Sequence, residues 1–505
     1  MTMLTKNRPL QTAFSLFLIL LFTSFENAGA ERHAPVTAPS ISVSHESVSG
    51  FDIVLLMDSS GSMKRTDPNN YRKDAARLFI ALLGREDRIG VTSFGDQATL
   101  LMPPVLNITE NQGKLISAVD KISSREFSTN ITDAVQSGFD QLKQTRNRNR
   151  ILLLMSDGKL ALGSPEKDVS ALAELTKLLP ELAKAGIRLY TVAFTEESDS
   201  ALLENMARVT GGFFRFARTD TDVHVMFTSI FEKIKSPDTI PLEGEMFMID
   251  REIQEAIVLV TKKPGTAISL MDPAMKKHAA GRHSDNLQWS ASRVFDMITI
   301  KNPAAGKWRV DLISNEGNRV FVITNLRLKS SFDKGFVVTG ETITIDAWLE
   351  NPGGIITDDK LLENTLFSAE ITSPDKKSAK LDLVVARGGE TRPSGIYSAT
   401  FSPSMIGEYI VRILAAGKTF TRERSIPFKV VEPTPPADLI VSEQSVTPPS
   451  APVSEEPRSS GEVSWGDVLA KLVLINLSLV ILAFVVYAIR KLSGKIRTKK
   501  WRNKS

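Results

Sequence analysis

The sequence predicts an α/β doubly wound, Rossmann-like domain followed by two all-β sandwiches and one transmembrane helix. Three observations support this fold class. Short apolar runs alternate with amphipathic stretches up to about residue 235, which is typical of a mostly parallel sheet with helices on both faces. From about Pro237 the helical period disappears, and turn residues separate short apolar runs. Residues 468–489 form an apolar stretch long enough to span a bilayer.

The N-terminal residues 1–30 are predicted to be a signal peptide. Lys6 and Arg8 precede an apolar run over residues 13–22, and small residues at 28–30 suit a cleavage site. The alternative is an uncleaved anchor helix, but the run is short for a membrane span. A polar linker is expected over residues 31–48.

The α/β domain is assigned to residues 49–236. Residues 98–102 follow the preceding strand too closely for a crossover helix, so we expect an antiparallel edge strand there. The predicted strands are 52–57, 88–94, 98–102, 151–156, 188–194 and 213–217, and the predicted helices are 72–83, 111–122, 131–144, 168–185, 201–209 and 223–235.

The β-rich part is divided at about residue 330. About seven short strands per roughly 100 residues fit an antiparallel sandwich of the immunoglobulin-like kind. We therefore predict one β-sandwich domain over 237–329 and a second, immunoglobulin-like one over 330–432. A stalk rich in Pro and Ser follows over 433–464.

The amino-acid composition limits where the protein is located and which kinds of chemistry it can perform. The chain has no cysteine, which excludes disulfide scaffolds and thiol catalysis and favours a bacterial periplasm over a eukaryotic cell surface. The formal net charge is +4, but residues 490–505 are strongly basic, so the remainder is slightly acidic and predicts no nucleic-acid surface. A basic tail next to the span is expected to be cytoplasmic. The domains before it are then expected to be periplasmic or extracellular. Residues 468–489 would lie in a cell membrane, which we expect to be the bacterial inner membrane.

Five oxygen-bearing side chains are predicted to meet at one edge of the sheet. Asp58, Ser60 and Ser62 follow the first buried strand, Thr129 precedes a helix, and Asp157 follows another apolar strand. In open α/β sheets, ligands bind at the carboxyl ends of the strands. Hard oxygen donors on tight loops suit Mg²⁺ or Mn²⁺ better than a soft metal.

The assignments of the first loop and of the threonine, and the role of two nearby bases, each have an alternative. Asp58 and its neighbouring serines could cap a strand-to-helix turn. Thr132 competes with Thr129 for the site, although Thr132 could instead be a helix N-cap. Lys64 and Arg65 could contact an acidic partner or be solvated loop charges.

These motifs resemble the von Willebrand factor type A domain and its metal-ion-dependent adhesion site. The family pattern is Asp-x-Ser-x-Ser, a Thr on a second loop and an Asp on a third, and it falls on the five residues above. Two further segments, 66–68 and 210–212, match bacterial members. Many of those have Gly-Gly before the Thr, where this chain has Phe127-Ser128.

The resemblance implies the role of each residue at the site. Asp58, Ser60 and Ser62 would ligate Mg²⁺, or Mn²⁺ or Ca²⁺, directly. Thr129 would bind directly or through water, and Asp157 mostly through water. The open coordination position would take an Asp or Glu carboxylate from a protein partner.

We therefore expect a non-enzymatic, membrane-anchored protein that mediates divalent-cation-dependent protein–protein interaction in adhesion, scaffolding or complex assembly. Neither nucleic acid nor a small-molecule substrate is expected, and the sequence does not indicate an oligomeric state. One alternative is a single-pass sensor that passes its ligand state to the tail. A hydrolase is disfavoured because the chain lacks the His-Glu-x-x-His, Gly-x-Ser-x-Gly and phosphate-loop motifs.

Overall fold

The computed structural model describes residues 50–433, except 146, 148, 158, 197, 220–221, 313–316 and 386–394. The predicted signal peptide, linker, transmembrane helix and basic tail lie outside the described residues, as does the stalk after residue 433. In the described part of the chain, no helix is both long and apolar enough to cross a membrane.

A six-stranded sheet forms the centre of the α/β domain. Its order is β3-β2-β1-β4-β5-β6, and all neighbours are parallel except β2 and β3, which confirms the predicted antiparallel edge strand. The chain order reverses between β1 and β4, where a doubly wound sheet opens its binding crevice. The strands are β1 Asp52–Asp58, β2 Arg88–Phe94, β3 Ala98–Leu106, β4 Arg150–Ser156, β5 Ile187–Phe194 and β6 Phe213–Ala217.

Helices cover both faces of this sheet, so β1 is buried along its whole length. Alternate side chains of a strand point to opposite faces. Leu55 accordingly packs in the cluster with α2, α3 and α7, whereas Leu56 packs with α4, α5 and α6. The helices are α1 Met63–Thr66, α2 Tyr71–Leu82, α3 Thr109–Asp120, α4 Ile131–Leu142, α5 Pro165–Lys184, α6 Ser200–Val209 and α7 Val223–Lys235.

The remainder of the described chain is β-rich, with one short helix, α8 Asp359–Leu362. The strands are β7 Asp238–Thr239, β8 Met246–Ile249, β9 Ile253–Thr261, β10 Ser269–Met271, β11 Lys277–Ala279, β12 Leu287–Ala291, β13 Phe295–Lys301, β14 Gly306–Val310, β15 Arg319–Thr324, β16 Arg327–Ser330, β17 Phe336–Val338, β18 Ile343–Asn351, β19 Gly354–Ile355, β20 Leu366–Thr372, β21 Ser378–Asp382, β22 Val384–Val385, β23 Tyr397–Phe401, β24 Gly407–Ala416 and β25 Thr421–Val431.

These strands form three sheets. Sheets of four strands (β11-β10-β14-β8) and five strands (β16-β18-β23-β22, with β19 on β18) each belong to one half of the β-rich part. A ten-stranded sheet, β12-β13-β9-β15-β7-β25-β24-β20-β21 with β17 on β25, runs through both halves. The two halves keep separate apolar clusters, and their predicted sandwich boundaries stay predictions.

Two residues join the halves of the long sheet. Thr239 in β7 pairs with Phe321 of β15 on one side and Glu423 of β25 on the other. This connection could not be predicted from the sequence, because a two-residue strand is too short to show an alternating pattern.

Helix α7 attaches the α/β domain to the β-rich part. The rings of Phe231 and Phe321 meet edge to face, with centroids 5.3 Å apart. Beside them, Arg319 Nε lies 2.5 Å from Glu232 Oε1, which is buried. The α/β domain is therefore packed against the long sheet through both apolar and charged contacts.

Candidate metal centre

Asp58 lies at the end of β1 and is completely buried. Its Oδ1 accepts a hydrogen bond from the backbone N–H of Ser60 (2.7 Å), and its Oδ2 accepts one from the Ser156 hydroxyl (2.6 Å). The parallel register of β1 and β4 places Ser156 beside Asp58, because Met57 pairs with Met155. The residue pattern predicts Ser156 only as the end of a strand and does not indicate its contact with Asp58.

A chain of hydroxyl contacts joins the first site loop to Asp157. The hydroxyl oxygens of Ser60 and Ser62 are 2.9 Å apart, and the Ser62 hydroxyl donates to Asp157 Oδ1 at 2.8 Å. The Thr66 hydroxyl, from the single turn of α1, donates to Asp157 Oδ2. Four of the five predicted ligands are thus linked directly or through a neighbour.

The two carboxyls have raised pKa values. Burial, and secondly the charge of Asp157, raises the pKa of Asp58 from its ordinary 3.8 to about 6. Burial also raises the pKa of Asp157, although the Thr66 and Ser62 hydroxyls oppose the rise. The charge of Arg72 also opposes the rise at Asp157, but neither carboxylate forms an ion pair with a Lys or Arg of the described residues.

The two candidate threonines have different surroundings. Thr129 lines the same cleft as Ser60, Ser62 and Asp157, and its backbone forms a two-hydrogen-bond bridge with Ala161. The cleft measures about 390 Å³.

Thr132 points elsewhere. Its hydroxyl donates to the carbonyl oxygen of Ala171 in α5 at 2.9 Å. The N-cap of α4 is Asn130, whose side chain accepts from the Asp133 N–H, so the proposed capping role of Thr132 is wrong. The geometry therefore favours Thr129 as the threonine of the site.

A buried ion pair supports the first two site loops. Asp67 accepts hydrogen bonds from the backbone N–H groups of Tyr71 and Arg72 at the start of α2, and Arg72 Nη1 lies 2.5 Å from Asp67 Oδ2. Arg72 Nη2 donates to the carbonyl of Ser123 and the hydroxyl of Ser124, both at 2.8 Å. Arg72 thus ties α2 to the segment that leads to Thr129, a long-range contact with no sequence signal.

The surface near the cleft carries several bases. Lys159 lines the cleft and is exposed, and Lys64 and Arg65 are exposed on α1. Their interaction with an acidic partner stays a prediction.

The donor set fits a hard divalent cation. It offers two carboxylates and the hydroxyls of Ser60, Ser62 and Thr129, all of them oxygen ligands. Two ionised carboxylates would balance the charge of the ion. In the described part of the chain, no group of three or more His, Cys, Asp or Glu side chains is arranged to hold a metal.

Comparison with known proteins assigns the α/β domain. Residues 52–232 match the model of the von Willebrand factor type A domain. The inter-alpha-trypsin inhibitor heavy chain H3 of Pongo abelii is 24% identical over 204 residues, covering 38% of this chain and 22% of that protein. The bovine (Bos taurus) protein of the same name is 24% identical over 203 residues with the same coverage. The match thus spans about a fifth of these relatives.

Solved structures include partial matches. A von Willebrand factor type A protein from Catenulispora acidiphila is 13% identical, with a TM-score of 0.32, and the match covers 61% of this chain and 64% of that one. The conserved hypothetical protein BatB from Bacteroides thetaiotaomicron is 14% identical with a TM-score of 0.30, covering 37% and 99%. Proximal thread matrix protein 1 from the mussel byssus, with a zinc-occupied MIDAS motif, is 18% identical with a TM-score of 0.30, covering 36% and 45%.

The family match, the doubly wound sheet and the cluster of hydroxyls and carboxylates at its edge agree. Residues 52–232 of this chain form a von Willebrand factor type A domain, a type of domain that commonly mediates metal-dependent protein interactions.

Proposed function

We propose that this protein binds a protein partner in a divalent-cation-dependent manner and acts in adhesion, scaffolding or complex assembly. The cation, Mg²⁺ or alternatively Mn²⁺ or Ca²⁺, would be held by Asp58, Ser60, Ser62, Thr129 and Asp157. When bound, it would supply an electrophilic position for an Asp or Glu carboxylate of the partner.

One observation carries this proposal. Asp58 and Asp157 are buried carboxylates whose contacts are hydroxyl and amide groups, and the pKa of each is raised by burial. An uncompensated buried charge is costly, and buried charges are ordinarily paired or coordinate a metal. The hydroxyls orient the carboxylates, and the cleft beside them gives a partner access.

The sequence supports a location at a membrane. Residues 468–489 would anchor the chain, with the basic tail in the cytoplasm and the binding domain outside. In a bacterium this would be the inner membrane, with the binding domain in the periplasm.

The decisive experiment compares Asp58→Ala with wild type. Calorimetry with Mg²⁺, and a crosslinking pulldown from envelope extract with Mg²⁺ or EDTA, measure metal binding and partner capture. We expect Asp58→Ala to lose both, and EDTA to release the same partner from wild type. Asp140→Ala is the matched control, because it removes a half-exposed carboxylate from the same domain. Capture that survives both Asp58→Ala and EDTA would contradict the proposal.

A further inference from the structure

The rim of the metal centre carries an unusual side chain, Phe127. The residue is 98% exposed, and among the exposed large apolar residues of the described part of the chain it is the most exposed and the only aromatic one. It lines the same cleft as Ser60, Ser62 and Asp157. A solvated aromatic ring in this position has no role in the packing of the domain.

The backbone around Phe127 is firmly held. Glu126 forms a bridge with Ser60 on one side, and Thr129 forms a bridge with Ala161 on the other. The N–H groups of Phe127 and Ser128 both donate to Asp96 Oδ1, at 3.2 and 2.8 Å. The side chain of Glu126 in turn accepts from the N–H of Asp96 at 2.8 Å. The ring is therefore displayed by a segment fixed to two site loops and to the β2–β3 turn.

A rigidly presented aromatic ring is a favourable binding anchor, because little conformational entropy is lost when it is covered. Such residues are enriched among those that dominate the affinity of protein interfaces. Lys159 lies in the same cleft and adds a positive charge. The cleft thus combines an apolar ring, a basic side chain and the metal centre.

We propose that Phe127 is a specificity-determining residue and that the partner segment carries a large apolar side chain next to its metal-seeking carboxylate. This inference rests on the proposed function and adds the chemistry of the partner to it. A protein segment fits better than a membrane, because the ring lines the same cleft as Ser60, Ser62 and Asp157, and one segment can place an apolar side chain on the ring and a carboxylate at the metal centre.

The test uses the full chain, solubilised in detergent and immobilised, against a peptide library with a fixed central Asp and random neighbours. Selection is run in Mg²⁺ and in EDTA, with wild type, Phe127→Ser and Phe127→Tyr. Val169→Ser is the matched control, because Val169 is an exposed apolar residue on α5 that does not line the cleft. Vesicles containing phosphatidylglycerol provide a separate arm.

We expect wild type to enrich peptides with an apolar or aromatic residue beside the Asp, only in Mg²⁺. Phe127→Ser should bind them at least about 30-fold more weakly and lose the neighbour preference, with its Mg²⁺ affinity unchanged. Phe127→Tyr and Val169→Ser should behave like wild type.

The failures are distinguishable. Mg²⁺-dependent enrichment with no neighbour preference, or the same preference in Phe127→Ser, overturns the role of Phe127 and leaves the proposed function intact. Enrichment that persists in EDTA, or no enrichment in Mg²⁺, overturns the proposed function and this inference with it. Phe127-dependent vesicle binding would assign the ring to a membrane and overturn the inference.

Discussion

Carboxylates in two regions of this molecule are stabilised in different ways. In the β-rich part, Asp250 faces the fully buried Arg422, whose Nη1 and Nη2 lie 2.5 and 3.1 Å from the two carboxylate oxygens. At the sheet edge of the α/β domain, Asp58 and Asp157 face hydroxyl and amide groups instead.

This difference indicates a structural role for the Arg422–Asp250 pair and a binding role for Asp58 and Asp157. Arg422 also donates to the Leu326 carbonyl and the Thr324 hydroxyl, so its charge and its hydrogen bonds are satisfied within the chain. The hydrogen bonds of Asp58 and Asp157 are satisfied, but no Lys or Arg of the described residues forms an ion pair with either carboxylate. Two carboxylates that are held in place by hydrogen bonds but have no cationic side chain paired with them are suited to bind a cation from solution.

The largest effect is expected from breaking the compensated pair. Arg422→Ala leaves Asp250 largely buried without its base, and loss of one member of a buried pair costs about 3–5 kcal/mol. Urea unfolding followed by circular dichroism should show a clear loss of stability. Lys377→Ala, which removes a highly exposed partner of Asp375, should leave the transition unchanged. Equal transitions for the two variants would refute the distinction.

A smaller effect is expected from the uncompensated cluster, with a defined pH dependence. In EDTA, the folded protein binds more protons than the unfolded chain between pH 3.8 and about 6, because the pKa of Asp58 is raised when folded. Its contribution to stability therefore falls as pH rises through this window. Above about pH 6 the full effect is reached, and the free energy of unfolding is then about 3 kcal/mol lower than below pH 3.8.

Asp58→Asn isolates this contribution. Wild type in EDTA should lose more stability than the variant between pH 4 and pH 7. Shifted acids remote from Asp58 cancel in the difference, whereas Asp157, whose charge helps to raise the pKa of Asp58, contributes through that coupling. Saturating Mg²⁺ should stabilise wild type at pH 7 by about 3 kcal/mol at 100 times the dissociation constant, and should leave the variant nearly unchanged. Parallel pH profiles for the two proteins in EDTA would count against uncompensated charge at Asp58.

The parts of the site that sequence could predict are those fixed by strand ends. Asp58 ends one apolar strand and Asp157 follows another, and parallel strands bring their carboxyl ends to one edge, so the pattern alone predicted that the two would lie close together. Ser156 and Thr66 were not predicted, because a hydroxyl acquires its partner only through the register of the sheet and the turn of α1.

The helices and strands could also be predicted only in part. Long elements with a clear period, such as α5 and β1, were found, whereas β7 and α1 are too short to have one. The pairing of β7 with both β15 and β25, and the burial of Arg422 against Asp250, depend on contacts far apart in the chain. Local pattern does not encode such contacts.

The smallest effects are expected from substituting the two threonines, one of which should change stability and the other Mg²⁺ affinity. Thr132→Val removes the hydrogen bond to the Ala171 carbonyl, so it should cost about 1 kcal/mol of stability and leave Mg²⁺ affinity unchanged. Thr129 lines the cleft, so Thr129→Val should weaken Mg²⁺ binding about tenfold or more, with stability within about 0.5 kcal/mol of wild type.

Calorimetric titration with Mg²⁺ and urea unfolding in EDTA measure the two quantities independently on the same preparations. Metal affinity lost in Thr132→Val and kept in Thr129→Val would move the site threonine onto α4. The first turn of that helix would then have to release its contact with α5 when the cation binds. If affinity is instead lost in Thr129→Val and kept in Thr132→Val, the role of Thr132 is structural. Its hydroxyl then only links α4 to α5, two helices that pack against the sheet.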